Sequence, residues 1–496
     1  MLIGAARRLS RDSLARNSLL IMATTVSNGA LGYLYWMVAA RSVPPDRIGF
    51  ATAVISAATA VSMIANLGAG HMFIQRLPGS DTTTWSRIVT SGLLASSAAT
   101  ALTAATAAVV VPVLSGNFAF LTAPGGTIAL VTGALAVTLT TLLDNLWVAH
   151  RSGQGMLIRN LAVALTKIAT LVAVLATGGA GAPAVLLSFV LPTLLISLLT
   201  VAVARRTLRP RKETGTEPGT ADDRGWLAGL RAELPHLRAA LTGHHLINLT
   251  QAGPAAILPV LVTARLGPDA NAHFYLAWMT ASMLFMVSPA VASALYAERA
   301  NAATVPVSRA AAVVAAMVGL PALVLLVAGD RILALFSPDY AVEGGLLLRI
   351  LVLAALPDAV VNLAVAHWRS AGRFGRCRRL NLVRAITCLS LAWLLLPGSG
   401  VTGAGVAWLT GQFAAALLVP VFTLAGRGAG RGPRRAEDSA GRTPGGGSVG
   451  GLTTRASAEP GRGCGNGDRR GRGVGVPPRV EKRRQAAGEA PTGSNR

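Results

Sequence analysis

About twelve stretches of roughly 18 to 25 residues run through this chain with almost no charge, the length a helix needs to cross ~30 Å of hydrocarbon. Inside hydrocarbon every backbone N–H and C=O must be satisfied within the segment, which leaves helices or closed barrels. Barrel strands would be about 10 residues long and alternating, and no such pattern runs here. The approximate limits are 18–40, 50–70, 88–114, 128–149, 160–177, 182–204, 241–263, 272–296, 309–328, 345–367, 381–397 and 401–425. Charged residues make up only 13% of the chain against 52% hydrophobic, and a soluble domain carries about twice that charged share. The expected class is an all-α membrane protein with multiple spans.

The formal charge of +24 invites a nucleic-acid reading, but its distribution argues against one. About a third of the basic residues follow Gly426, and most of the others flank apolar stretches, where the positive-inside rule puts them. Arg7, Arg8, Arg11 and Arg16 precede the first span. Basic groups recur after the even spans: Arg76 and Arg87; Arg151 and Arg159; a cluster from Arg205 to Arg238; Arg299 and Arg309; and Arg369 through Arg384. The other side carries Arg41, Arg47, Arg265 and Arg331. This alternation implies an even span count with both termini cytoplasmic. Cys377, Cys388 and Cys464 lack metal or disulfide spacing, and no cofactor or metal is expected. The first apolar run is too long for a cleaved signal and reads as a first span.

One pattern occurs twice. Asn145-Leu146-Trp147-Val148-Ala149-His150-Arg151-Ser152 returns as Asn362-Leu363-Ala364-Val365-Ala366-His367-Trp368-Arg369-Ser370. Upstream, Ala40-Arg41 with Pro45-Asp46 and Phe50 is matched by Ala264-Arg265 with Pro268-Asp269 and Phe274. A repeat of this period implies two related halves, and duplicated bundles that rock about a shared site are the architecture of alternating access. The expected organisation is a six-helix bundle over 1–204, a linker over 205–240, a second bundle over 241–426 and a basic disordered tail over 427–496. Within the linker, Trp226 to Leu241 is expected as an amphipathic interfacial helix. Gly178-Gly179-Ala180-Gly181 should close a tight helical hairpin.

The opening spans carry a family resemblance. Gly32-Tyr33-Leu34-Tyr35-Trp36-Met37-Val38-Ala39-Ala40-Arg41, Pro45-Asp46-Arg47-Ile48-Gly49-Phe50, Ala65-Asn66-Leu67-Gly68-Ala69-Gly70 and Ile74-Gln75-Arg76-Leu77-Pro78 resemble the polysaccharide-biosynthesis, O-antigen-type flippases of the multidrug/oligosaccharidyl-lipid/polysaccharide exporter superfamily. The loop Ala366-His367-Trp368-Arg369-Ser370-Ala371-Gly372-Arg373 is similar to that group's turn after the tenth span. The resemblance covers about residues 15–425. It implies two six-helix bundles around a central cavity. It also implies a lipid-linked oligosaccharide substrate moved between leaflets without covalent chemistry, and polymerase and glycosyltransferase partners. The charged first-span signature of the sister lipid II flippases is not evident.

A polar head group crosses hydrocarbon only through a wet cavity, and a pyrophosphate needs cations there, so ionisable residues within spans are the first candidates. Lys167 sits among Ala164, Leu165, Thr166, Ile168 and Ala169. Its open readings are a cavity cation, an ion pair with Asp144 of the fourth span, or snorkelling. Arg349 is read as a snorkelling residue or a substrate contact. Asp358 follows Pro357 and is read as a gate or cation site beside loosened backbone. His244 and His245, with Asn248 and Gln251, make either a cavity-lining stripe or an interface, and histidine can couple to protons. Lys167, Asp144, Arg349, Asn248 and Gln251 form the candidate substrate-binding set; Asp358, His244 and His245 form the coupling or gating set. Asn145 and Asn362 are expected to bond between helices. His150, Arg151, His367 and Arg369 read as turn residues, and the Arg41/Asp46 and Arg265/Asp269 pairs as loop fasteners.

No Walker loop is present, which argues against direct ATP drive. Rival readings are a cation-coupled drug or metabolite antiporter of the same superfamily, a major-facilitator carrier, and a polyprenyl-linked glycosyltransferase or ligase. The loop from Arg76 to Arg87 lacks the facilitator signature, and the outer loops are too short for an enzyme's catalytic residues.

Overall fold

The structure is a computed structural model that describes residues 13–210, 226–241, 245–300, 307–371 and 373–428. His244, most of the linker before Trp226 and the tail beyond Gly428 lie outside the described residues. Among the described residues the regular elements are all helical: α1 (Ser13–Ser42), α2 (Pro45–Ala65), α3 (Ala69–Arg76), α4 (Thr82–Leu114), a 3₁₀ turn (Gly116–Thr122), α5 (Pro124–Ala149), α6 (Gly153–Ala176), α7 (Gly181–Thr207), α8 (Trp226–Ala240), α9 (Leu246–Leu266), α10 (Pro268–Ala300), α11 (Val307–Ala334), α12 (Pro338–Ser370) and α13 (Phe374–Gly428). Each of the twelve expected stretches falls on a helix. The last two share α13, which breaks at Gly400, where φ is 57°. Among the described residues, nine helices are long and apolar enough to cross a membrane, with α13 counted once.

Local chemistry sets the helix starts. At one end of the molecule, α2, α5, α10 and α12 each open on a proline, Pro45, Pro124, Pro268 and Pro338. A first-turn proline fixes φ and forfeits an N–H that had no helical partner anyway. Asp46, Asp269 and Asp339 follow three of these prolines, where a carboxylate faces the positive end of the helix dipole. At the other end, which carries the basic loops, the Asp81 side chain caps α4 by accepting from Thr83 N at 3.0 Å and Thr84 N at 3.3 Å. The hairpin between α6 and α7 is as tight as expected, with Gly178 and Gly181 at positive φ.

α2 is the central helix. It packs on α5 and α7 of the first half and on α9 and α10 of the second, and residues from Ile48 to Ala65 are buried on nearly every side. Small side chains allow this approach. A Cβ at Gly49 would lie 2.1 Å from the carbonyl oxygen of Pro268, so only glycine fits. One apolar cluster runs from Tyr35, Trp36 and Ile48 of the first half to Leu258, Phe274 and Leu351 of the second.

Polar contacts tie the halves at the proline-start end. Asn271 donates to Thr52 Oγ1 at 3.1 Å, Arg41 Nε to Leu335 O at 2.7 Å, Tyr33 Oη to Ile332 O at 3.1 Å and Ser115 Oγ to Ala264 O at 2.8 Å. Arg41 therefore does not fasten Asp46, which pairs with Arg47 at 3.1 Å. Arg265 likewise lies over the Trp393 ring, 4.4 Å from its centroid, rather than on Asp269. At the basic end, α8 is a helix as expected but is docked on the first half. Its Glu233, 1% exposed, takes both Arg76 and Arg87, and Leu237 and Ala240 join the cluster of Phe73, Leu77 and Trp85.

Candidate functional site

Asp144 on α5 and Arg159 on α6 face each other at 2.9 Å. Asn160 donates to the same Asp144 oxygen at 2.9 Å and accepts from Asn28 of α1 at 3.0 Å. Depth explains the pairing. Asp144 lies five residues from the end of α5 and Arg159 six from the start of α6, about 8–9 Å from the loop in both cases. Lys167 lies fourteen residues into α6, about 21 Å from that loop, too deep for Asp144 to reach. Of the three readings of Lys167, the ion pair with Asp144 is therefore not formed: Asp144 takes Arg159 instead, and Arg159 is not the loop charge the sequence suggested but a buried one.

Lys167 is half-buried and has no carboxylate at ion-pair distance among the described residues. Its ammonium stands 3.4 Å from the centroid of the Phe189 ring on α7, a cation–π contact. Phe189 is the first of a row of aromatic rings. Tyr35 and Trp36 of α1 lie 6.0 and 6.5 Å from it, and Trp36 meets Tyr275 of α10 edge-on at 5.0 Å. The row thus runs from the Lys167 ammonium across to the second half. Sequence reading found Lys167 but missed its ring partners, because aromatic side chains in an apolar span carry no signal of which neighbour they meet.

The second half holds a matching ion pair. Asp358 on α12 and Arg384 on α13 are both buried, with Nη1 to Oδ1 at 3.8 Å. Asp358 Oδ2 accepts from Ser288 Oγ of α10 at 2.8 Å and from Asn362 Nδ2 at 2.8 Å. Arg384 also donates to the carbonyl of Gln251 on α9. Buried Asn381 lies on the same helix as Arg384, and its amide lacks a hydrogen-bond partner among the described residues. In each half, then, the fourth long helix supplies an aspartate and the fifth an arginine. α12 continues through Pro357, which has no N–H for the helical ladder, and the side chains of Ser288, Asn362 and Arg384 hold Asp358 there. The repeated asparagines differ: Asn362 bonds to Ser288 on α10 at 3.0 Å as expected, whereas Asn145 donates to Thr141 O of its own helix at 2.8 Å.

The other candidates lie apart. Arg349 is half-exposed and paired with Asp330 of α11. His245 Nε2 meets Ile64 O of α2 at 3.1 Å, and Asn248 pairs with His71 of α3. Both act at the junction of the halves, on its basic end. Gln251 offers its backbone carbonyl to Arg384. His150 holds a turn as read: its Nε2 accepts from Trp85 Nε1 at 3.0 Å and its Nδ1 meets Leu146 O at 3.0 Å. A cavity of about 450 Å³ opens at the proline-start end, lined by Asp46, Asp269, His273, Asp339 and Glu343.

No family model matches this sequence, and no curated protein matches it. Solved structures do. A multidrug resistance MATE family transporter of the MOP superfamily, in its inward-facing conformation, superposes with a TM-score of 0.60 at 13% identity, over 83% of this chain and 98% of that one. The lipid II flippase MurJ, in an inward closed conformation, gives 0.63 at 11% identity, over 82% and 87%. A MOP superfamily transporter from Pyrococcus furiosus gives 0.52 at 15%, over 85% and 95%. The chain is an all-α membrane protein with the fold of these transporters.

Proposed function

We propose that this chain is a membrane transporter that moves a polyprenyl-pyrophosphate-linked oligosaccharide, a polysaccharide precursor, from the cytoplasmic to the outer leaflet of a bacterial plasma membrane. Two six-helix bundles, 1–204 and 241–426, alternate access to a central cavity, and the basic end faces the cytoplasm. The linker over 205–240 joins them and the basic tail from 427 stays cytoplasmic. The observation that carries this reading is Lys167, an ammonium deep in a spanning helix that faces the Phe189 ring and, among the described residues, no carboxylate. Such a cation suits a diphosphate, and the partly buried rings of Phe189 and Tyr275 suit the apolar faces of sugar rings. The fold shared with MurJ supports a lipid-linked cargo.

The second reading is a cation-coupled antiporter, favoured by the shared MATE fold. It needs a carboxylate within the spans that is free to take up the coupling ion. Asp144 and Asp358 are each matched by an arginine, which weighs against it. Purified protein in liposomes decides between them. We expect it to translocate a labelled polyprenyl-pyrophosphate glycan, and Lys167→Ala to cut that rate about tenfold or more with insertion intact, as for the loss of one charge-assisted contact. Export of small organic cations with the glycan left in place would overturn the reading in favour of the antiporter.

A further inference from the structure

The basic end gathers arginines around a single carboxylate. Arg76 closes α3, and Arg87 lies in the second turn of α4. Both turn to Glu233 of α8: Arg87 Nε donates to its Oε1 at 3.0 Å, and Arg76 Nη1 donates to its Oε2. Arg205, in the last turn of α7, reaches Thr90 Oγ1 at 3.5 Å, one turn along α4 from Arg87. Among the described residues no other carboxylate pairs with these three arginines. One negative charge therefore answers three positive ones, although one arginine would be enough to fasten α8. The two guanidinium side chains that hold Glu233 stay open to solvent, 27% and 42% exposed, while the carboxylate between them is 1% exposed. α8 covers that spot with a narrow buried stripe of Glu233, Leu237 and Ala240. Its opposite face, with Arg231, Leu234 and Arg238, is exposed and adds further positive charge.

We propose that Arg76 and Arg87 form a binding site for a phosphate-bearing anion, and that Glu233 fills it as an internal carboxylate until such an anion displaces it. The chemistry favours the exchange. A carboxylate brings one charge and two oxygens, and here each oxygen is taken by a different arginine. A phosphate group brings up to two charges and more oxygens, enough to engage both planar guanidinium forks at once. Displacement has a structural consequence. α8 leads within a few residues into α9 of the second half. Ala240 rests on Gly68, where a Cβ would stand 3.0 Å from the Ala240 carbonyl oxygen, and His245 meets Ile64 O. Releasing Glu233 therefore loosens the start of the second half from the first at this end. The phosphate can belong to the diphosphate of a lipid-linked cargo or to the head group of an anionic phospholipid. The arginines recognise what the two share.

Calorimetric titration of the purified full-length chain with inorganic pyrophosphate tests the proposal. Glu233→Gln should bind pyrophosphate about tenfold more tightly than the wild type, because a charged competitor has left the arginines. Arg76→Gln/Arg87→Gln/Glu233→Gln, which leaves no uncompensated charge at the spot, should lose that gain. Glu233→Ala serves as a second variant if Glu233→Gln does not fold. In the wild type, saturating pyrophosphate should speed amide exchange over 226–240, and sodium chloride at equal ionic strength should not. In nanodiscs, the same acceleration when phosphatidylglycerol replaces phosphatidylcholine assigns the phosphate to a lipid head group. Acceleration by pyrophosphate alone assigns it to a diphosphate. Equal pyrophosphate affinity in all three proteins would put the binding elsewhere and overturn the proposal. Unchanged or slower exchange over 226–240 at saturation would also overturn it, leaving Glu233 as a fastener only. Binding and exchange are read without transport, so failure here leaves the flippase reading standing, and the reverse.

Discussion

Arg159 and Lys167 lie about two turns apart on one helix, yet among the described residues only Arg159 of the two has a carboxylate partner. That difference separates an architectural cation from a candidate working one. The Asp358–Arg384 pair makes the architectural case most sharply, since both side chains are almost fully removed from solvent. Breaking a buried pair leaves one uncompensated charge and costs about 3–5 kcal/mol, whereas replacing both partners by apolar groups is close to neutral. We expect Arg384→Met to lower the melting temperature of the purified protein sharply and the double variant Asp358→Leu/Arg384→Met to recover most of the loss. A double variant as unstable as the single one would show that Ser288 and Asn362, not the ion pair, hold the cluster. Lys167 was legible in the sequence because a charge in mid-span is conspicuous whatever surrounds it. Arg159 and Arg384 were not: each stands near a basic loop, so the positive-inside pattern absorbed them. Only the depth match between neighbouring helices shows that they point inward.

The elements themselves were largely written in the hydropathy, and their limits were not. Apolar runs located every long helix, but α12 starts at Pro338 and α4 at Thr82, several residues outside the apolar edge, because proline and the Asp81 cap set the first turn. The linker helix α8 was expected from its amphipathic pattern. Its docking was not, because Glu233 meets arginines from another part of the chain. Glu233→Gln removes the charge from a buried acceptor of two guanidinium donors, and a loss of about 1–3 kcal/mol is expected. Amides of 226–240 should then exchange faster while those of α2 stay unchanged.

At the scale of the molecule, the twice-stated loop announced two halves, and the structure adds a chemical echo: an aspartate on the fourth long helix and an arginine on the fifth of each half. The echo escaped the sequence because Asp144 precedes its repeated asparagine by one residue and Asp358 precedes its own by four, so a linear match never aligns them. Nor did the sequence show how the halves meet, since Gly49 against Pro268 and Thr52 against Asn271 are contacts between distant parts of the chain. These contacts close one end of the junction around α2 and α10. If transport proceeds by rocking of the halves, that end must open in each cycle. The side chains of Thr52 and Asn271 are 3.1 Å apart, near enough for a cysteine pair to bridge after small adjustment. In a background with Cys377, Cys388 and Cys464 replaced, Thr52→Cys/Asn271→Cys should arrest glycan flipping when oxidised, and reduction should restore it. Each single cysteine variant should transport regardless of redox state. Undiminished flipping in the fully cross-linked protein would mean that the halves do not part at this end, and alternating access about this junction would have to be abandoned.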